Sequence, residues 1–319
     1  MNARIMEMNP DANQLTTSEG KKIEYAYALL STGSKTNFYH HPYADKCMKL
    51  DTVDDAMDIH KALQARMINN SDKPLTVVVV GGGYTGIEAA THAQRFIDGK
   101  VKNSRVIVVE KESDILPANE SWVRKIVQRE LFQLGISVIC SDTLSYVNED
   151  RITLGSGITF ENAICIWSAG IRVSDYLAHA QLPVNGRGVE VNPSLLVKAQ
   201  TQQNVFAAGD AASVAAPGSG MPLRNAVMFS LAQGKTAARN IISSIHNRAL
   251  ISYRPRDLGW LIPLAHGKAP GRVLDQRVGG RVGYFLHYLM CVYRSRFPNN
   301  LMMLRQVLRN RLYKNTLKQ

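Results

Sequence analysis

Residues 76–88 read TVVVVGGGYTGIE, and no other stretch limits so strongly what this chain can fold into. Four valines run directly into Gly81, Gly82, Gly83, Tyr84, Thr85 and Gly86, a G-x-G-x-x-G, and a helical run from Ile87 to Phe96 follows. The order has a chemical reason. The first glycine turns the strand tightly, the second lets a pyrophosphate approach the backbone, and the third lets helix and strand pack closely. The helix N-terminus then offers unpaired N–H groups and partial positive charge to the phosphates. A glycine turn in some other α/β protein is the competing reading. The strand before and the helix after favour dinucleotide binding.

A second apolar strand, residues 105–109 (RVIVV), ends in Glu110, where a carboxylate can accept from a ribose 2′-OH. Glu110 would repel a 2′-phosphate, which favours NADH over NADPH, although Lys111 beside it pulls the other way.

The 319 residues suffice for two domains. Cys47, Cys140, Cys165 and Cys291 are scattered, with no C-x-x-C and no metal spacing with the eight histidines. That pattern argues for a reducing compartment and against structural zinc, so no metal site is expected. The first fourteen residues lack the apolar core of a signal peptide. No apolar run reaches the roughly 18 residues of a spanning helix.

Along the chain, residues 4–8, 14–17 and 23–30 pattern as short strands separated by the turn formers Asn9-Pro10-Asp11 and Glu19-Gly20. Thr52 and Asp55 make a capping box opening a helix through Met67, and the polar run 69–74 reads as a domain linker. Residues 122–134 are amphipathic, 136–140 form a third strand, 144–160 a β-meander, and 163–167 another buried strand. Strand, helix, strand, helix, strand is the pattern of a doubly wound nucleotide domain with a parallel sheet. Residues 205–210 (VFAAGD) are a short strand ending in Gly209-Asp210, ahead of a helical stretch 224–246. On the residues alone, Asp210 is as readily a helix cap as a ligand for a sugar-like hydroxyl.

Together these motifs resemble the two-dinucleotide-binding-domain flavoproteins, and within them the type II NADH dehydrogenases (NADH:quinone oxidoreductases). YAYALLSTG, residues 25–33, is similar to the family strand that ends near the flavin, with Thr32 and Gly33 at its tip, and Ser34-Lys35-Thr36-Asn37-Phe38 continues in the dehydrogenase manner. Ile166-Trp167-Ser168-Ala169-Gly170-Ile171 resembles the strand that closes the NADH site, and the 205–210 strand the one whose aspartate binds the ribityl chain. The resemblance spans about residues 1–250. It implies FAD and NADH as cofactors, with Gly81, Gly82, Gly83, Tyr84, Thr85, Gly86, Glu110 and Gly170 on the NADH side. Thr32, Gly33, Gly209 and Asp210 fall on the flavin side. Glu88 resembles the family glutamate near the nicotinamide and is the catalytic candidate, while a first-turn glutamate favourable to the helix dipole is the competing reading.

Three departures accompany the resemblance. Such proteins begin with another G-x-G-x-x-G unit for the ADP half of FAD. The few residues before the first hairpin cannot supply a βαβ unit of roughly 30 residues, so either the sequence is a fragment or late start, the favoured reading, or the protein lacks a standard FAD site. The quinone-side signature persists only at Gln233, with Val227-Met228 and Ala232 at its other places. The strand near the flavin ends Ser31-Thr32-Gly33 where the family has Ala-Thr-Gly.

The charge is uneven. From Leu258 onward there are eleven Lys/Arg and one acid, a net +10 of the chain's +12, which leaves +2 for residues 1–257. Within this tail, 282–293 (VGYFLHYLMCVY) and 301–312 (LMMLRQVLRNRL) are apolar or leucine-striped helices set among arginines. Basic residues around such helices suit an anionic membrane surface. Plain core packing is the competing reading, and no nucleic-acid motif accompanies the charge.

The expected architecture is α/β, with two Rossmann-like dinucleotide-binding domains, the FAD domain incomplete at its N-terminus, and a C-terminal helical extension. The expected limits are 1–72 and 189–255 for the two parts of the FAD domain, 73–188 for the NADH domain and 256–319 for the extension. The expected activity passes hydride from NADH to FAD and electrons on to a quinone. A cytoplasmic setting on the inner face of the cell membrane and a homodimer complete the expectation. Two rivals stand beside it: a soluble NAD(P)H-dependent reductase of a protein or disulfide acceptor, and a non-enzymatic NADH-binding remnant without FAD.

Overall fold

The computed structural model describes residues 3–69, 74–100, 102–178, 180, 182–198, 202–218, 220–295 and 298–312. Residues 70–73 of the expected linker and the basic residues Arg296, Lys314 and Lys318 lie outside them. The chain divides into two compact units, 1–37 with 171–257 and 38–170 with 258–319.

The second unit is built on a parallel sheet of four strands, in the order Ala163–Trp167, Thr76–Val80, Arg105–Glu110, Ser137–Cys140. Its strands are continuous apolar runs because both faces are covered. Alternation divides the valines between two cores. Val77 and Val79 pack with Ile87, Ile97, Val123 and Val127 of the helices Tyr84–Ile97 and Ser121–Gln133. Val78 and Val80 pack with Ile152, Leu154 and Phe160 of the antiparallel meander Leu144–Val147, Arg151–Leu154, Thr159–Glu161.

The helix Val53–Asn69 opens on the expected capping box: Asp55 N–H donates to Thr52 Oγ1 at 3.1 Å and Thr52 N–H to Asp55 Oδ2 at 2.8 Å. Its Ile59 and Leu63 join the Val77 core, so it belongs with the second unit. A three-stranded antiparallel sheet, Gly259–Leu261, Gly271–Val273, Gln276–Val278, was not read in the sequence. Its segment plants Ile262 and Leu264 in the same core. The helices Gly280–Arg294 and Asn299–Leu312 follow.

The first unit carries an antiparallel sheet (Ile5–Asn9, Gln14–Thr17, Lys22–Glu24) and a parallel pair (Ala28–Leu30 with Val205–Ala207). The strand expected at 23–30 is broken in two. Tyr25 N–H still bonds back to Asn13 O at 3.0 Å, whereas Ala28 N–H turns to Asn204 O at 3.0 Å, so the chain leaves the hairpin there. Ile171–Val173 pairs antiparallel with Ser34–Thr36, which puts it in this unit. The units therefore divide at 37/38, 170/171 and 257/258, where the sequence reading cuts at 72/73, 188/189 and 255/256. Packing of the 53–69 helix, pairing of the 171–173 strand and burial of Ile262 and Leu264 move the limits.

Candidate functional site

The glycine turn is held on every side except one. Gly81 has φ +106°, and a Cβ there would fall 2.7 Å from the Cα of Ala169. A Cβ on Gly86 would run into the carbonyl oxygen of Gly81 and lie 2.7 Å from Ser168 Oγ. Gly82 N–H donates to Glu110 Oε2 at 2.7 Å. Gly83, by contrast, has nothing within 4 Å of its would-be Cβ, although it is the N-cap of the helix Tyr84–Ile97 and no side chain caps that helix. Two glycines are thus required by packing, and the third leaves open space at the helix N-terminus, which no side chain caps. The cradle fits a pyrophosphate.

Glu110 is 8% exposed, and its Oε1 accepts from Glu112 N–H at 3.0 Å. Each oxygen keeps a further lone pair for a hydroxyl. Tyr84 and Thr85 are exposed in the first turn, and Tyr84 Oη accepts from Asn119 Nδ2 at 2.8 Å. Gly170 has φ +139° and sits against the Tyr39 hydroxyl.

Ser168 is a supporting residue that the sequence reading left without a role. Its Oγ lies 3.0 Å from the Val80 carbonyl and 3.2 Å from that of Gly81, sharing one proton between them. A serine two residues before a glycine, straight after a buried strand, was the only signal for it.

Glu88 lies outside the first turn, because the helix starts at Tyr84. This removes the helix-dipole reading, since the dipole effect fades within one turn. The side chain is half-buried at a cleft of about 380 Å³ lined by Ile59, His60, Leu63, His92 and Phe96. Burial pushes its carboxyl above the ordinary glutamate range.

In the first unit, Asp210 Oδ2 accepts from Ser34 Oγ at 3.1 Å, and Ser174 Oγ donates to Thr32 Oγ1 at 3.3 Å. Gly33 and Gly209 have φ +70° and +72°. Asp210 is partly exposed and heads no α-helix, so it is not the cap of the following helix, which begins only at Val227. Gln233 is 4% exposed, and its Oε1 accepts from Gly209 N–H at 2.7 Å. It therefore fixes the Gly-Asp turn from behind. These groups suit a polyhydroxyl chain, but among this unit's described residues no glycine turn like that at 81–86 offers a second pyrophosphate cradle. No three His, Cys, Asp or Glu among the described residues gather as a metal-ligand set.

The family model for pyridine nucleotide-disulphide oxidoreductases matches residues 1–238. The chain belongs to that family. Among its relatives is the type II NADH:quinone oxidoreductase of Haemophilus influenzae, 26% identical over 292 residues, covering 80% of this chain and 64% of that protein. Another is the demethylphylloquinone reductase NdbB of Synechocystis, 24% identical over 283 residues, covering 87% and 68%. The chain thus spans about two thirds of the length of these two relatives. The solved structure of NDH2 from Plasmodium falciparum in complex with NADH superposes with a TM-score of 0.86 at 14% identity, covering 98% of this chain and 84% of that one. The resemblance to type II NADH dehydrogenases read from the motifs is borne out, and so is the α/β fold with its helical C-terminal part.

Proposed function

We propose that this member of the pyridine nucleotide-disulphide oxidoreductases binds NADH at Gly81–Gly86 and works as a flavin-dependent NADH dehydrogenase with a quinone as acceptor. One observation carries the reading: Gly81 and Gly86 are packed shut while Gly83 stands open at an uncapped helix N-terminus. When bound, the nicotinamide supplies a hydride and the flavin accepts it. The chain's own residues bind and orient. The helix N-terminus takes the pyrophosphate, Glu110 the adenosine ribose, and Tyr84 and Thr85 flank the turn. Asp210, with Ser34 beside it, accepts from ribityl hydroxyls, held in place by Gln233 through Gly209. Glu88 is the acid–base candidate, since burial favours its protonated carboxyl and so lets it hold a proton for transfer. The likeness to an NADH:quinone oxidoreductase and a demethylphylloquinone reductase supports a quinone acceptor.

An apolar stripe supports a peripheral position on an anionic membrane. Val282, Phe285, Leu289 and Tyr293 of the helix Gly280–Arg294 are 65%, 41%, 44% and 82% exposed, at helical spacing on one side. No described helix is long and apolar enough to cross a membrane.

The test is to soak the purified chain with FAD, record its visible spectrum, and follow NADH oxidation with a short-chain quinone and with ferricyanide. Flavin bands and quinone-dependent oxidation are expected. Ferricyanide activity without quinone activity would move the acceptor to the protein or disulfide class. The second reading is NADH binding without FAD. NADH binding with no flavin bands would decide for it and against the enzyme.

A further inference from the structure

Cys47 and Cys165, far apart in sequence, meet in the second unit. Met48 forms a parallel bridge with Ile166, through Met48 N–H to Cys165 O at 2.9 Å and Trp167 N–H to Met48 O at 2.7 Å. That register sets Cys47 beside Cys165, about 4.8 Å apart at the strand spacing, within the roughly 4.4–6.8 Å between Cα atoms that a disulfide spans. The side chains share one face and one core, beside Val80 and Trp167. The two thiols are close enough for each to act on the other's charge, and Cys47 Sγ donates to Tyr43 O at 3.5 Å. Both are free. Cys165 also lines a cleft of about 440 Å³ rimmed by Asp45, Lys46, Arg66 and Glu149, wide and polar enough for a small solute.

We propose that Cys47 and Cys165 are a reversible dithiol/disulfide site, whose oxidation by a small-molecule disulfide clips the turn Ala44–Lys46 to the edge strand Ala163–Trp167. Two S–H bonds break and one S–S bond forms. The oxidant's own S–S bond breaks and takes up the two electrons and two protons as two thiols. One thiolate of the pair attacks the small disulfide, and the neighbouring sulfur resolves the mixed disulfide and releases the second thiol. The clipped strand leads straight to Ser168, which braces the Gly81 turn, so the clip fixes the support of the nucleotide site. Nothing in it depends on a bound flavin.

The test uses the full chain carrying Cys140→Ser and Cys291→Ser, leaving only the pair. Incubated folded with oxidised glutathione, it is expected to lose both free thiols. An unreduced tryptic digest should join residues 47–49 to residues 152–172, at a mass two hydrogens below their sum, and dithiothreitol should reverse it. In the parent chain, Cys47→Ser and Cys165→Ser should each abolish that linked peptide. Persistence of two thiols, glutathione adducts alone, or linkage only between two chains would overturn the proposal.

Discussion

Three glycines in one turn have different tasks, and substitution separates them. Gly83→Ala adds a methyl into open space at an ordinary φ, so the melting temperature should stay within about a degree or two of the parent, the range of a surface change. The same methyl occupies the pyrophosphate cradle. NADH affinity measured by calorimetry should fall at least about tenfold, or about 1.4 kcal/mol. Gly86→Ala meets the Gly81 backbone and should lower the melting temperature as well as binding. Glu88 offers a test by pH. Its folded pKa is raised above the unfolded value, so ionising it opposes folding. Stability is therefore lost as pH rises from the ordinary glutamate range through the raised folded value. Glu88→Gln should match the parent in thermal melts below that range and exceed it above.

At the scale of elements, the sheet of residues 259–278 is tied to the nucleotide fold by a buried carboxylate. Glu130, on the helix Ser121–Gln133, is 3% exposed and takes Lys268 at 2.6 Å and His266 at 2.7 Å. Arg95 adds a bond to Ala265 O at 2.7 Å, and Ala265 N–H one to Thr91 Oγ1 at 3.1 Å. Burial raises the Glu130 carboxyl, but the bonds from Lys268 and His266 outweigh it and hold the pKa below the ordinary value. Its stabilising contribution is then present above the unfolded glutamate pKa and lost as pH falls through the depressed folded one. Glu130→Ala should cost about 1–3 kcal/mol in urea unfolding at neutral pH, with the difference from the parent shrinking in acid. The capping box, the valine strands and the meander were legible in the sequence, because each rests on local spacing. This sheet was not: strands of three residues are too short for a period to show, and glycines and charges interrupt them.

For the whole molecule, charge and exposed apolar surface coincide in the C-terminal segment. Arg281 and Arg305 are exposed near Val282, Phe285, Leu301 and Met302, which are exposed too. Vesicles containing anionic lipid should sediment the chain, neutral vesicles much less, and added salt should release it. Arg281→Glu with Arg305→Glu should weaken binding to anionic vesicles by more than tenfold, at about 1 kcal/mol for each basic residue near the surface, with an unchanged melting temperature. Retained binding would assign the segment to packing.

Residues 76–88 alone determined that a strand, a glycine turn and a helix follow one another here and where each runs, because the turn's geometry depends on glycines a few residues apart. The short motifs near Gly33 and Asp210 likewise placed the chain in its family. Tertiary structure decided the rest. Only it separated Gly81 and Gly86, closed by packing, from Gly83, left open, since the backbone of Ala169 and the Ser168 hydroxyl come from a distant strand. It turned Gln233 from a remnant of a quinone signature into the acceptor that holds Gly209. It also set Cys47 beside Cys165, through a bridge between segments that share no local pattern. Contacts of this kind join residues far apart along the chain, and no periodicity or spacing encodes them.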